Sequence, residues 1–226
     1  MSEPSIEFYN AAIDAVQAGQ IDEALAAVER SLTEDPKDSQ TWQLYVVILN
    51  ALGRSEEAAK ATDKLKEMGL SEVDEQLLKA AEATTAGNLA GAVAHYQAAL
   101  DAEPDRADIQ ASYALALMEA GDSENALAAA EKAAALAPDD APANYALGHI
   151  LRLTGNKQAA LTALSKAVSS DPGFMIARYE QGMVLAATGK LNEALAAFEK
   201  FLDIHPGDAN ATEAVTSIKA ALKGGS

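Results

Sequence analysis

Glycine returns every 34 residues along this chain, at Gly19, Gly53, Gly87, Gly121, Gly155 and Gly189. An alanine series keeps the same step, at Ala24, Ala58, Ala92, Ala126, Ala160 and Ala194. A period this strict constrains the fold before any local pattern does. Each copy is one supersecondary unit that buries its apolar face only against its neighbours. Six copies fit without a gap: 5–38, 39–72, 73–106, 107–140, 141–174 and 175–208.

The marks inside a copy have physical reasons. Glycine at the fifteenth position closes a helix because it takes a left-handed conformation without a side-chain penalty. Alanine at the twentieth lets two helices approach, and a larger side chain there overpacks the contact at about 1–3 kcal/mol. Five copies carry proline at the thirty-second position (Pro36, Pro104, Pro138, Pro172 and Pro206), which cannot continue a helix. Between these marks the apolar spacing is helical. Leu191, Ala194, Leu195, Phe198, Phe201 and Leu202 form one stripe. No β-alternation appears, so the chain is expected to be all-α. A stripe of Ala211, Ala214, Val215, Ile218 and Leu222 predicts a capping helix over 209–223. Residues 1–4 read as an N-terminal tail, and 224–226 as a frayed tail or an appended scar.

This 34-residue helix–turn–helix unit resembles the tetratricopeptide repeat. The resemblance is carried by Trp42 and Tyr45, by Leu147, Gly148 and Leu151, by Ala92 and Tyr96, by Ala194 and Phe198, and by the proline series. It covers residues 5–208. It implies antiparallel helix pairs stacked into a right-handed superhelical solenoid with a concave groove. Two departures stand out. The aromatic of the fourth position survives only as Phe8 and Trp42; Gln76, Gln110, Asn144 and Arg178 follow, which predicts a looser, solvated contact there. The second copy has Val46 at the small eighth position and lacks its proline, so Gly69, in Glu67-Met68-Gly69-Leu70, is expected to end the helix instead.

Composition excludes several classes of function. The net charge is −17, from 34 acidic and 17 basic residues, which argues against nucleic acid and anionic membrane surfaces. Cysteine is absent, which removes disulfides and thiolate chemistry. The start, MSEPSIEFYNAAIDAV, has no basic or apolar signal region. No apolar run approaches the roughly 18 residues of a membrane span. A cytoplasmic location without membrane insertion is expected. His95, His149 and His205 fall at unrelated repeat positions, and no phosphate loop, dinucleotide fingerprint or nucleophile elbow occurs. The chain is therefore expected not to be an enzyme and to need neither cofactor nor metal.

The resemblance implies that the second, fifth, ninth and twelfth positions of each first helix line the groove, offsets that share one helical face. Tyr9, Ile13, Gln43, Val47 and Asn50 fall there early in the chain, and Tyr145, His149, Arg152, Tyr179 and Met183 late. The late cluster stands out because Tyr and Arg dominate binding hot spots and Met adapts to varied shapes. The same residues could equally serve to pack their own repeats, and His149 alone reads as structural. The inner face matching the subclass that clamps a C-terminal carboxylate (Tyr9, Ile13, Leu44, Asp74 and Leu78) carries no cation, which disfavours that role. Two functions follow: an adaptor that binds a peptide segment of a partner protein in the groove, and a self-associating scaffold that forms homo-oligomers.

Overall fold

The computed structural model describes residues 3–69 and 71–224. Among them are thirteen α-helices and no strand. They are α1 (Glu3–Gln17), α2 (Ile21–Glu34), α3 (Ser39–Ala51), α4 (Ser55–Glu67), α5 (Glu72–Thr85), α6 (Leu89–Ala102) and α7 (Ala107–Glu119). There follow α8 (Ser123–Leu136), α9 (Ala141–Leu153), α10 (Lys157–Ser170), α11 (Met175–Ala187), α12 (Leu191–Ile204) and α13 (Ala209–Gly224). Consecutive helices pair as α1 with α2 through α11 with α12, the helix hairpins of an α-solenoid. Two assignments at the ends shift. Glu3 and Pro4, read as tail, begin α1, where proline in the first turn loses no helical hydrogen bond. Gly224 ends α13 rather than opening the tail; Met1, Ser2, Gly225 and Ser226 lie outside the described residues.

The periodic glycines sit where a left-handed residue is required. Gly189 has φ +79°, and Lys190 N donates to Leu185 O at 2.9 Å, a helix-ending bond that only a left-handed C′ residue sets up. The five prolines act one residue earlier. Each preceding residue is pushed out of the helical region, as at Ala137 (φ −133°, ψ 77°) and Asp171 (φ −135°, ψ 99°). The end of α4 differs as expected. Met68 stays helical (φ −81°, ψ −4°), and Gly69 makes the turn at φ +81°. Leu70, the last residue of that variant end, lies outside the described residues.

The chain forms two compact bodies, Met1–Pro104 and Asp105–Ser226. In the first, α2 packs on α3, and α3 on both α4 and α5. Its apolar side chains form separate groups: Ala12, Ala24, Val28 and Ile48 in one, and Val46, Leu49, Ala58, Leu65 and Leu78 in another. Beside them lies a buried hydroxyl network. Ser31 Oγ donates to Ser5 O at 2.9 Å and meets Thr41 Oγ1 at 3.2 Å, and Thr41 Oγ1 donates to the Asp38 carboxylate. In the second body one core group runs from Leu151 through Leu164, Val184, Phe198 and Phe201 to Ile218 of α13. The final helix thus covers the end of this core with Ala211 and Ile218, the stripe expected of it.

The alanine series is buried throughout. Close approach is clearest at the eighth position, where a Cβ on Gly148 would stand 2.6 Å from Leu164 Cγ. At two of the four substituted fourth positions the expectation of a looser or solvated contact fails, since Gln110 and Asn144 are buried; Gln76 and Arg178 are half-buried. Trp42 Nε1 donates to Pro36 O at 2.9 Å; Asn144 Nδ2 donates to Pro138 O at 2.9 Å, and Arg178 Nη2 to Pro172 O at 3.1 Å. The polar side chains keep the indole's hydrogen bond to the proline carbonyl and give up only its ring. Gln76 instead meets His95 Nδ1 at 2.8 Å.

Candidate functional site

The late cluster comes together on α9 and α11 of the second body. Tyr145, His149 and Arg152 follow one another along α9. Across from them lies a residue that the repeat positions did not single out, Glu180 of α11, whose side chain is only 6% exposed. His149 Nδ1 meets Glu180 Oε1 at 2.5 Å. Arg152 Nε donates to Oε2 at 3.1 Å, and Nη2 to Oε1 at 3.2 Å. Since a carboxylate only accepts, His149 carries its proton on Nδ1.

The electrostatics follow from burial and these partners. Burial pushes the Glu180 carboxyl up, but the hydrogen bonds and charges of His149 and Arg152 outweigh it and hold the group below the ordinary carboxylate value. The Tyr145 phenol is pushed up to about 12, first by burial and then by the Glu180 charge, with Arg152 opposing. The Tyr145 ring meets Phe174 edge-on at 5.4 Å between centroids and His149 at 5.6 Å. Such contacts fix ring orientation.

Tyr179 and Met183, expected beside one another on α11, have different surroundings. The Tyr179 ring lies 5.5 Å from Phe198 and 5.1 Å from Phe201, so much of it belongs to the core. Met183 is 39% exposed and Ile176, one turn before Tyr179, is 45% exposed. Glu180 left one signal in the sequence. Its sixth repeat position holds Asn10, Leu44, Leu78, Ser112 and Ala146 in the other copies, so an acid there breaks the pattern.

The early residues lie in the first body and share no comparable network. Tyr9, Ile13 and Gln43 are half-buried, and Val47 is exposed. Burial, then the Asp38 charge, raises the Tyr9 phenol. Asn50 Nδ2 is buried without a hydrogen-bond partner among the described residues, and it borders a cavity of about 330 Å³ with Ser55, Glu82 and Thr85. Among the described residues no group of His, Asp and Glu could hold a metal, and no helix is long and apolar enough to cross a membrane.

The tetratricopeptide repeat model matches residues 77–141 and 145–209, and a second model of the same description matches 15–81. The chain belongs to the tetratricopeptide repeat family. It is a protein–protein interaction module, as members of that family are. No curated protein matches the tetratricopeptide chain by sequence. Among solved structures it is similar to MamA, at 26% identity over 65% of this chain and 80% of that one, with a TM-score of 0.56. It is similar in fold to YrrB, described as a TPR protein with an unusual peptide-binding site, at 22% identity over 83% of this chain and 97% of that one, with a TM-score of 0.54. The APC/C hetero-tetramer Cut9–Hcn1 gives a TM-score of 0.70 at 16% identity, covering 96% of this chain and 43% of that one.

Proposed function

We propose that this tetratricopeptide repeat protein is an adaptor that binds a peptide segment of a partner protein along the face formed by α9 and α11. One observation carries the reading. Ile176 and Met183, both at groove positions, leave large apolar side chains exposed beside an ordered polar cluster. An apolar anchor next to oriented donors is the composition of a hot spot. A peptide-binding site is named for one chain of the same fold, YrrB. Val47 and Ile6 repeat the exposed apolar feature on the first helices of the first body.

The test is a pull-down from cell extract with the full chain and with Tyr145→Ala/Met183→Ala. Loss of specific partners in the double variant supports the adaptor; retention of every partner contradicts it. A second reading, a self-associating scaffold, draws on Leu136 and Ile204, exposed apolar residues at the ends of second helices. Light scattering that stays monomeric at rising concentration removes it.

A further inference from the structure

The hydrogen-bonding capacity of the α9–α11 cluster is unevenly spent. Both oxygens of Glu180 are occupied, and the carboxylate is buried away from any incoming group. The donors are not exhausted. Arg152 uses Nε and Nη2 on Glu180 and keeps its Nη1 hydrogens, with the side chain 22% exposed. The Tyr145 hydroxyl makes no hydrogen bond to any described residue, and like any phenol near neutral pH it carries its proton. At Arg152 only donors remain, so the group that meets the guanidinium must bring acceptors, while the Tyr145 hydroxyl can donate to the same group.

The form of those donors narrows the choice. A guanidinium presents a planar fork that matches the two oxygens of a carboxylate. Glu180 takes the Nε/Nη2 edge and fixes the guanidinium plane, so the free Nη1 edge is already oriented and little side-chain entropy is lost when a ligand arrives. A side-chain amide fits less well, because its own N–H would face the Arg152 N–H groups. Net charge is not the source of recognition, since the chain carries −17 overall. Ile176 and Met183 on α11 add an apolar shelf.

Building on the adaptor reading, we propose that the α9–α11 face takes an internal aspartate or glutamate side chain of the partner segment on Arg152 and Tyr145. An apolar neighbour of that acid rests on Ile176 and Met183. Glu180 is the positioning residue that holds Arg152 and His149 ready.

The experiment uses the full chain and a labelled, capped pentapeptide of leucine and alanine with one central aspartate. Two counterparts carry asparagine or alanine in its place, and capping removes any terminal carboxylate. Fluorescence anisotropy is expected to show the aspartate peptide binding at least tenfold more tightly than either counterpart. Arg152→Lys, which keeps the charge and loses the fork, and Glu180→Gln, which keeps the size, should each cut that preference at least fivefold, with the circular dichroism spectrum unchanged. Should Glu180→Gln fail to fold, Arg152→Lys decides alone. Equal binding of the three peptides, no binding by any of them, or a preference untouched by Arg152→Lys overturns the inference. If the peptides bind equally and Tyr145→Ala/Met183→Ala abolishes binding, only the acidic preference falls. If that double variant changes nothing either, the groove reading falls with it.

Discussion

The two bodies follow one repeat rule and spend it differently. In the second, one large core group runs from Leu151 to Ile218 with bulky Phe198 and Phe201 in it, beside a smaller alanine group of Ala111, Ala133, Ala143 and Ala146. In the first, the apolar groups are smaller and a hydroxyl network lies beside them; each body leaves a buried nitrogen without a partner among the described residues, Asn50 Nδ2 in the first and Arg178 Nε in the second. The second body also carries the His149, Arg152 and Glu180 cluster beside exposed apolar residues. The proposed recognition face thus lies on the half with the larger core. A rigid core under α9 and α11 holds Glu180 in place, and pre-organised donors bind at lower cost than donors that must first be ordered. Hydrogen exchange should therefore show α1 to α5 opening before α9 to α12. Equal protection in both bodies would erase the contrast.

The largest expected effect is in the second core. Phe198→Ala should cost about 3–5 kcal/mol of stability by denaturant unfolding, while Val28→Ala in the first body should cost less. A larger loss from Val28→Ala would reverse the ranking. Next comes the fourth position. Asn144→Ala removes the bonds to Pro138 O and Asp140 O and should cost about 1–3 kcal/mol. A neutral outcome would restore the looser contact first expected from the loss of the aromatic. Smaller again is Gly69→Ala, which forces φ +81° on a side chain and should cost about 1 kcal/mol, read as faster exchange in α4. No change would mean the α4 end relaxes freely.

The smallest effects are in pH. Glu180 is held below its ordinary value of 4.5, so its stabilisation is complete above that value and is lost as pH falls through the depressed one. Tyr145 is raised from 10.0 to about 12, so its contribution is complete below pH 10.0 and is lost as pH rises through about 12. Thermal unfolding followed against pH should lose its acid arm in part in Glu180→Gln and its alkaline arm in part in Tyr145→Phe. Parallel curves for wild type and variants would remove Glu180 and Tyr145 as the cause.

Most of the fold was legible because it rests on conformational rules that individual residues announce. Gly189 needs its left-handed turn, Pro172 displaces Asp171, and Ala160 marks a contact too close for a larger side chain. The fourth position was misread because residue type was taken for environment. Asn144 looks solvent-facing, yet its amide reaches the carbonyl that Trp42 reaches in an earlier copy. The candidate site was half legible. Tyr145, His149 and Arg152 share a helix face by spacing alone. Their partner Glu180 lies 28 residues beyond Arg152, and only the packing of α11 against α9 reveals that pair. Tyr179 illustrates the opposite limit, since its position suits a groove while its ring lies against Phe198 and Phe201.

The central claim is that partners meet this protein on the α9–α11 face. Backbone and side-chain NMR shifts of the full chain, titrated with a partner segment recovered in the pull-down, test it most directly. The strongest perturbations are expected at Tyr145, Arg152, Ile176 and Met183, with Leu136 and Ile204 unaffected. Perturbations centred on Leu136 and Ile204, or confined to the first body, would contradict it.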